Sequence, residues 1–238
     1  MFDGKFRVPV DAAVKPIGAA LRKTKMTPDH LTIVGLVVGA AAAVAVGSGR
    51  LRLGLVLVIA AALPDLLDGA LAKASNTSSQ RGAFFDSTVD RITDALLLGG
   101  IAYYFATTQD PRLAVLPFAV SAVSSIVSYQ RAKAESLGLD AKGGLMERAE
   151  RIVVLCVGLL IEPWWDGALI WILWGMLVLI SITAVQRFVK VWKQAAVAPV
   201  TQARIDLRRK RRESRRGART ERRSTRVPLH QRVPRRKD

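Results

Sequence analysis

The chain has 238 residues, half of them hydrophobic, and carries a formal net charge of +17. A single soluble domain has little use for both properties, so the apolar and the basic character are expected in different segments. Cys156 is the only cysteine and sits in an apolar run, which excludes a disulfide framework and a cysteine metal site.

Residues 1–28 lack the short basic-then-apolar pattern of a cleaved signal peptide, so the first spanning helix is expected to serve as the insertion signal. Within them, residues 8–25 alternate apolar and basic positions around Pro9 and Pro16. They read as a juxtamembrane amphipathic helix lying in the interface. Six apolar segments follow, at about residues 31–49, 53–73, 84–106, 112–134, 148–162 and 167–192. Lipid leaves a bundle of this kind only helices to satisfy its backbone, so the fold class is all-α: a polytopic membrane protein with six transmembrane helices over residues 29–195. Gly49-Arg50, Gln109-Asp110-Pro111 and Pro163-Trp164-Trp165-Asp166-Gly167 read as tight turns at one surface, the tryptophans suiting an interfacial belt. The other surface collects Lys5, Arg7, Lys15, Arg22, Lys23 and Lys25, then Lys73, Arg81, Arg131, Lys133, Lys142, Arg148 and Arg151. The positive-inside rule therefore puts both termini and that surface in the cytoplasm.

The last segment, residues 196–238, is a basic cytoplasmic tail. From residue 201 it holds sixteen Lys or Arg against four Asp or Glu, which is +12 of the +17. It has too little to bury to fold alone, and its charge suits anionic lipid heads. It shows neither stacking aromatics nor a nucleic-acid-binding motif, so nucleic acid is not an expected partner.

The chemistry lies in Pro64-Asp65-Leu66-Leu67-Asp68-Gly69-Ala70-Leu71-Ala72-Lys73 and, eight residues on, Gly82-Ala83-Phe84-Phe85-Asp86-Ser87-Thr88-Val89-Asp90. Asp65 and Asp68 are three apart and Asp86 and Asp90 four apart, so each pair shares a helix face, and the short link lets the faces meet. Four ionised carboxylates at membrane depth repel one another unless a cation neutralises them. An all-oxygen set favours Mg²⁺ or Mn²⁺ over zinc. Gly69 and Gly82 suit close approach of a ligand or a neighbouring helix. Carboxylate-held metals beside Lys and Arg suit phosphoryl-type transfer, with one carboxylate taking the proton of an attacking hydroxyl. Helix capping, or pairing with Arg81, Arg91 and Arg151, explains any one of these acids but not the set. Seven fixed residues coincide by chance with a probability on the order of 10⁻⁹ per start position.

The pattern Asp65-x2-Asp68-Gly69-x2-Ala72-Lys73-x8-Gly82-x3-Asp86-x3-Asp90 resembles the signature of the CDP-alcohol phosphotransferases, with Lys73 where the family usually has Arg. The resemblance covers about residues 5–192 and not the tail. It implies that an alcohol attacks the β-phosphorus of a CDP-linked lipid and CMP leaves. Asp65, Asp68, Asp86 and Asp90 would hold two metal ions, and Asp90 would also be the general base. Gly69, Ala72, Lys73 and Ser79 would line the CDP-lipid site. Thr27-Pro28-Asp29, just before the first helix, is similar to the family's Thr-Pro-Asn element that closes over the nucleotide. The family also implies a homodimer in the cell membrane.

Ser128-Tyr129-Gln130-Arg131-Ala132-Lys133-Ala134-Glu135 and Glu147-Arg148-Ala149-Glu150-Arg151 resemble the phosphatidylinositol phosphate synthases of actinobacteria. CDP-diacylglycerol and an inositol phosphate are then the expected substrates. Ser128, Arg131, Lys133, Arg148, Arg151 and Arg187 are the candidates for binding the acceptor phosphate. A glycerol phosphate acceptor would also want basic residues. A cation transporter is the reading from another class, but it should show a repeat and acids near the midplane, where these crowd one edge.

Overall fold

In the computed structural model, the described residues are 27–75 and 79–196, with 207, 208 and 211; the side chains of 65–75 are not among those described. The expected amphipathic helix and nearly all of the basic tail lie outside them. Among the described residues the fold is all-helical: α1 (Pro28–Gly47), α2 (Leu51–Ser75), α3 (Gln80–Thr108), a 3-10 turn (Pro111–Ala114), α4 (Val115–Ser136), α5 (Arg148–Ile161) and α6 (Ala168–Ala195). The bundle belongs to one compact unit, Met1–Val191, and Trp192–Asp238 is a second.

The ends of α1 follow from local chemistry. Thr27 is its N-cap: the hydroxyl accepts from His30 N at 3.3 Å while His30 Nδ1 accepts from Thr27 N at 3.3 Å, and Pro28 takes the first turn, where its missing N–H costs nothing. The helix thus starts before residue 31, and Thr27-Pro28-Asp29 is its cap and first turn rather than a separate element. At the other end Gly49 adopts φ 76°, its N–H meets Val46 O and the Arg50 N–H meets Ala45 O, a Schellman closure that turns the chain into α2. Ser79 caps α3 through Gly82 N at 3.0 Å, so α3 also begins earlier than hydropathy alone indicates.

α1 packs against both α2 and α3, α3 against α4, and α2 against α5. Small residues make the α1 contacts close. A Cβ on Gly100 would stand 2.4 Å from Ala43 O, and one on Gly39 would stand 2.6 Å from a Thr93 methyl. Ile101, Phe105, Val120, Leu159, Leu169, Leu173 and Ile180 are fully buried between the helices. The outward faces are apolar too, with Val37, Val44, Val56, Phe118, Trp171 and Val185 exposed. Three helical stretches, Pro28–Gly47, Pro111–Ser136 and Ala168–Ala195, are long and apolar enough to cross a membrane. An apolar exterior around an apolar core is what lipid as solvent requires, and the chain is a membrane protein.

The three expected turns gather at one end of the bundle. Gln109 Nε2 donates to Glu162 at 3.1 Å and to Asp166 at 3.3 Å, and the Arg52 guanidinium lies 5.4 Å from the centre of the exposed Trp164 ring. Glu162, itself buried, accepts from Leu169 N at 2.6 Å and so fastens the start of α6. At the opposite end the loop between α4 and α5 is strapped to α6. Arg187 donates to Glu147 at 2.7 Å, Gly143 O at 3.0 Å and Val127 O at 3.0 Å, and Met146 N donates to the Thr183 hydroxyl at 3.1 Å. Lys190 reaches Asp140 at 3.1 Å; with the Lys142 backbone N–H first and that ammonium second, it holds the Asp140 carboxyl below its ordinary range.

The α1–α3 contact sets up a paired test. Gly100→Ala forces backbone from backbone and should destabilise by about 1–3 kcal/mol, read as a lowered Tm in detergent. Gly99→Ala, with nothing within 4 Å of the new Cβ, should leave the Tm unchanged or slightly raised.

Candidate active site

α3 is an apolar helix with polar residues written into its first half. Asp86, Asp90 and Asp94 recur every four residues and so share one stripe. Asp86 and Asp90 line an open cleft of about 270 Å³ together with Thr32 and Gly35 of α1, Ala61 of α2 and Arg148 of α5. A second, mostly apolar cleft adjoins it, sharing Ala61, Thr93 and Arg148 and reaching Asp94 and Ile152.

The two helices that carry the acidic signature, α2 and α3, both line the cleft. A Cβ on Gly35 would stand 3.5 Å from Pro64 Cβ, so α2 passes the cleft wall immediately before Asp65. Pro64 lacks an N–H and withholds one bond of the α2 ladder at that level. Asp65, Asp68, Gly69, Ala72 and Lys73 all lie on α2, but their side chains fall outside the described residues. Asp29 and Ser79 stand on either side of Gly82, where a Cβ would be 3.3 Å from Ser79 Oγ and 3.9 Å from Asp29 Oδ1. The starts of α1 and α3 therefore adjoin, and Gly82 keeps the space between them open.

Arginines from α5 face the acidic stripe. Arg148 reaches Asp90 at 2.9 Å and Asp94 at 3.4 Å, and the buried Arg151 reaches Asp94 at 2.8 Å. Arg91, within 3.9 Å of Asp90, donates to the hydroxyl of Ser128, which in turn donates to Ser124 O at 3.0 Å. Of the six acceptor candidates, Ser128, Arg148 and Arg151 are thus joined to Asp90 and Asp94. The other three make no described ion pair or hydrogen bond to Asp90 or Asp94, although Arg187 lies near enough to Arg131 and Arg151 for the three charges to act on one another. Arg131 is exposed and paired with Glu135 at 3.1 Å, Lys133 is exposed, and Arg187 is buried in the strap of the α4–α5 loop.

Sequence reasoning missed Asp94 and gave Arg91 no part beyond pairing. The four-residue recurrence from Asp86 through Asp90 was the signal for Asp94. Arg91 carried none, because its partner Ser128 lies 37 residues away.

As for a metal, the described half of the ligand set offers oxygen donors only, two carboxylates on one wall of one cleft, which suits a hard divalent cation. Among the described residues no three His, Cys, Asp or Glu side chains gather to hold an ion, the α2 half of the signature lying outside them. The residues present fit the group as far as they are described. Chemically, the arrangement can place an anionic substrate between an acidic wall and paired guanidinium groups, with a carboxylate in proton-transfer reach.

Residues 25–181 match the CDP-alcohol phosphatidyltransferase family. Among curated proteins, the chain is 35% identical over 202 residues to a phosphatidylinositol phosphate synthase of Corynebacterium glutamicum, covering 83% of this chain and 92% of that one. It is 34% identical over 194 residues to an archaetidylinositol phosphate synthase of Methanothermobacter thermautotrophicus, covering 80% and 94%. Among solved structures it resembles the phosphatidylinositol phosphate synthase PgsA1 of Mycobacterium tuberculosis with CDP-DAG bound, with a TM-score of 0.71 and 33% identity over 75% of this chain and 93% of that one. The same protein has been solved in complex with manganese and citrate, and that chain is matched over 88% of its length at the same TM-score and identity. The match spans α1 to α5, which include every element that lines the cleft, and the first half of α6, and the chain belongs to the CDP-alcohol phosphatidyltransferase family.

Proposed function

We propose that the chain transfers the phosphatidyl group of CDP-diacylglycerol to a hydroxyl of an inositol phosphate, releasing CMP and forming phosphatidylinositol phosphate. The observation that carries this is the meeting of Asp90 with Arg148 on the cleft wall, with the Asp94–Arg151 pair one turn further along the same two helices. A carboxylate for the hydroxyl and cations for a phosphate stand side by side there. The similarity to phosphatidylinositol and archaetidylinositol phosphate synthases supports the same acceptor.

In this reading, Asp65, Asp68, Asp86 and Asp90 hold two ions of Mg²⁺ or Mn²⁺, which when bound neutralise the diphosphate. Thr27, Pro28, Asp29, Gly69, Ala72, Lys73 and Ser79 take the CDP-lipid at the mouth between α1, α2 and α3. Arg148 and Arg151, with Ser128 and Arg91 beside them, bind the acceptor phosphate, and Arg131, Lys133 and Arg187 add positive charge around it. The acceptor hydroxyl gives its proton to Asp90 as its oxygen bonds to the β-phosphorus. The bond from that phosphorus to the bridging oxygen breaks, and CMP leaves with the electron pair. Arg148, already on Asp90 Oδ1, fixes which carboxylate oxygen faces the hydroxyl.

The six helices are read as six spans, with both termini and the cleft at the cytoplasmic face of the plasma membrane. The protein works as a homodimer, and the basic tail lies against anionic lipid.

CMP release by the purified protein with CDP-diacylglycerol and Mg²⁺ tests the function. Inositol phosphate should be preferred over glycerol phosphate and free inositol; preference for glycerol phosphate would leave the family and overturn the acceptor. Asp90→Asn should lower the rate by about 10²–10⁴-fold without loss of folded protein. A chelator should abolish turnover, and Mg²⁺ or Mn²⁺ should restore it; turnover that survives chelation would remove the metal from the scheme.

A further inference from the structure

Asp94 is a partly buried carboxylate with no part in the proposed transfer itself. It lies one turn beyond Asp90 on α3, with 18% of its side chain exposed. Its Oδ2 accepts from Arg151 at 2.8 Å and its Oδ1 from Arg148 Nε at 3.4 Å. Arg148 and Arg151 are three residues apart, on the same face of α5, so a single carboxylate serves two guanidinium groups on consecutive turns.

Two features make this more than charge balance. Like charges held this close repel, and an anion between them is the condition for their standing side by side. A guanidinium is also a rigid planar fork, so fixing one nitrogen fixes the direction of the others. With Nε on Asp94, the outer edge of Arg148 is turned toward Asp90, which its terminal nitrogen meets at 2.9 Å. Arg151, 6% exposed, has little freedom of its own. Asp94 also lines the cleft that adjoins the Asp86–Asp90 wall, next to Thr93 and Arg148.

We infer that Asp94 is a positioning residue for the acceptor site: it holds Arg148 and Arg151 together and turned toward Asp90, so that an acceptor phosphate meets both while Asp94 itself touches neither substrate. This rests on the functional reading above. It predicts an effect confined to the acceptor, because the CDP-lipid candidates lie on α1, α2 and the start of α3, and none of them contacts Asp94 among the described residues.

The test is steady-state CMP release by full-length protein in detergent, with CDP-diacylglycerol and each phosphate-bearing acceptor varied in turn, for wild type, Asp94→Asn and Asp94→Glu. Asp94→Asn keeps shape and one acceptor oxygen but removes the charge that pairs the arginines. Its acceptor KM should rise about tenfold or more, with the KM for CDP-diacylglycerol unchanged and kcat lowered less. Asp94→Glu restores the charge on a longer arm and should recover most of that loss, leaving KM about threefold above wild type. If Asp94→Asn does not fold, the Glu variant decides alone. An acceptor KM equal to wild type in a folded variant, or equal changes in both KM values, overturns the role of Asp94 and leaves the functional reading standing. Wild type that releases no CMP with any phosphate-bearing acceptor overturns the functional reading and the role of Asp94 with it.

Discussion

Carboxylates inside an apolar helix bundle must be compensated, and the pairing of α3 acids with α5 arginines is the interaction on which the rest of this structure turns. Removing one partner of such a partly buried ion pair is costly, because the other is left without a counter-charge. Asp90 and Asp94 therefore fix where Arg148 and Arg151 must be, and with them the rotation of α5. Other features serve that placement. Gly100 and Gly39 let α3 come close to α1, which brings the acidic stripe to the cleft. Arg187 and Thr183 strap down the glycine-containing loop that delivers the chain to Arg148, where Gly143 and Gly144 adopt φ of 93° and 152°. A side chain at Gly144 would also run into Thr183, with a Cβ only 2.3 Å from its methyl.

The two ends of the bundle divide the labour. At the turn end, Gln109, Glu162 and Asp166 make a small polar knot that holds the start of α6 and ties two connections together. At the site end, polar groups from several helices pair with one another beside an open cleft. Ion pairs close to the cleft, between Asp90, Asp94, Arg91, Arg148 and Arg151, are the kind a charged substrate can exchange with, because an incoming phosphate offers the arginines an equivalent partner.

Much of this was legible in the sequence. Hydropathy located six helices to within a few residues, since apolar segments in a membrane protein satisfy their backbone as helices. It erred at the starts of α1 and α3, where Thr27 and Ser79 extend helices into polar sequence by capping them, a signal that hydropathy does not weigh. The spacing of Asp86 and Asp90 put both on one wall, as the structure has it. What spacing could not supply was partnership across the fold. Arg187 reads as one more cation at a helix end, yet it is 4% exposed and holds Glu147, 40 residues distant. Arg131 and Arg151 read alike, but one points outward to Glu135 while the other is buried against Asp94. Only the packing of α5 on its neighbours separates them.

The central claim is that acids of α2 and α3 act as one cation-binding set. Mn²⁺ binding to the purified full-length protein, followed by electron paramagnetic resonance, addresses it most directly, with Asp65→Asn and Asp86→Asn compared to wild type. Saturable binding that is lost or strongly weakened in each variant, one from each helix, is the predicted result. Binding that persists unchanged in either variant would contradict the account, because the two helices would then not share an ion.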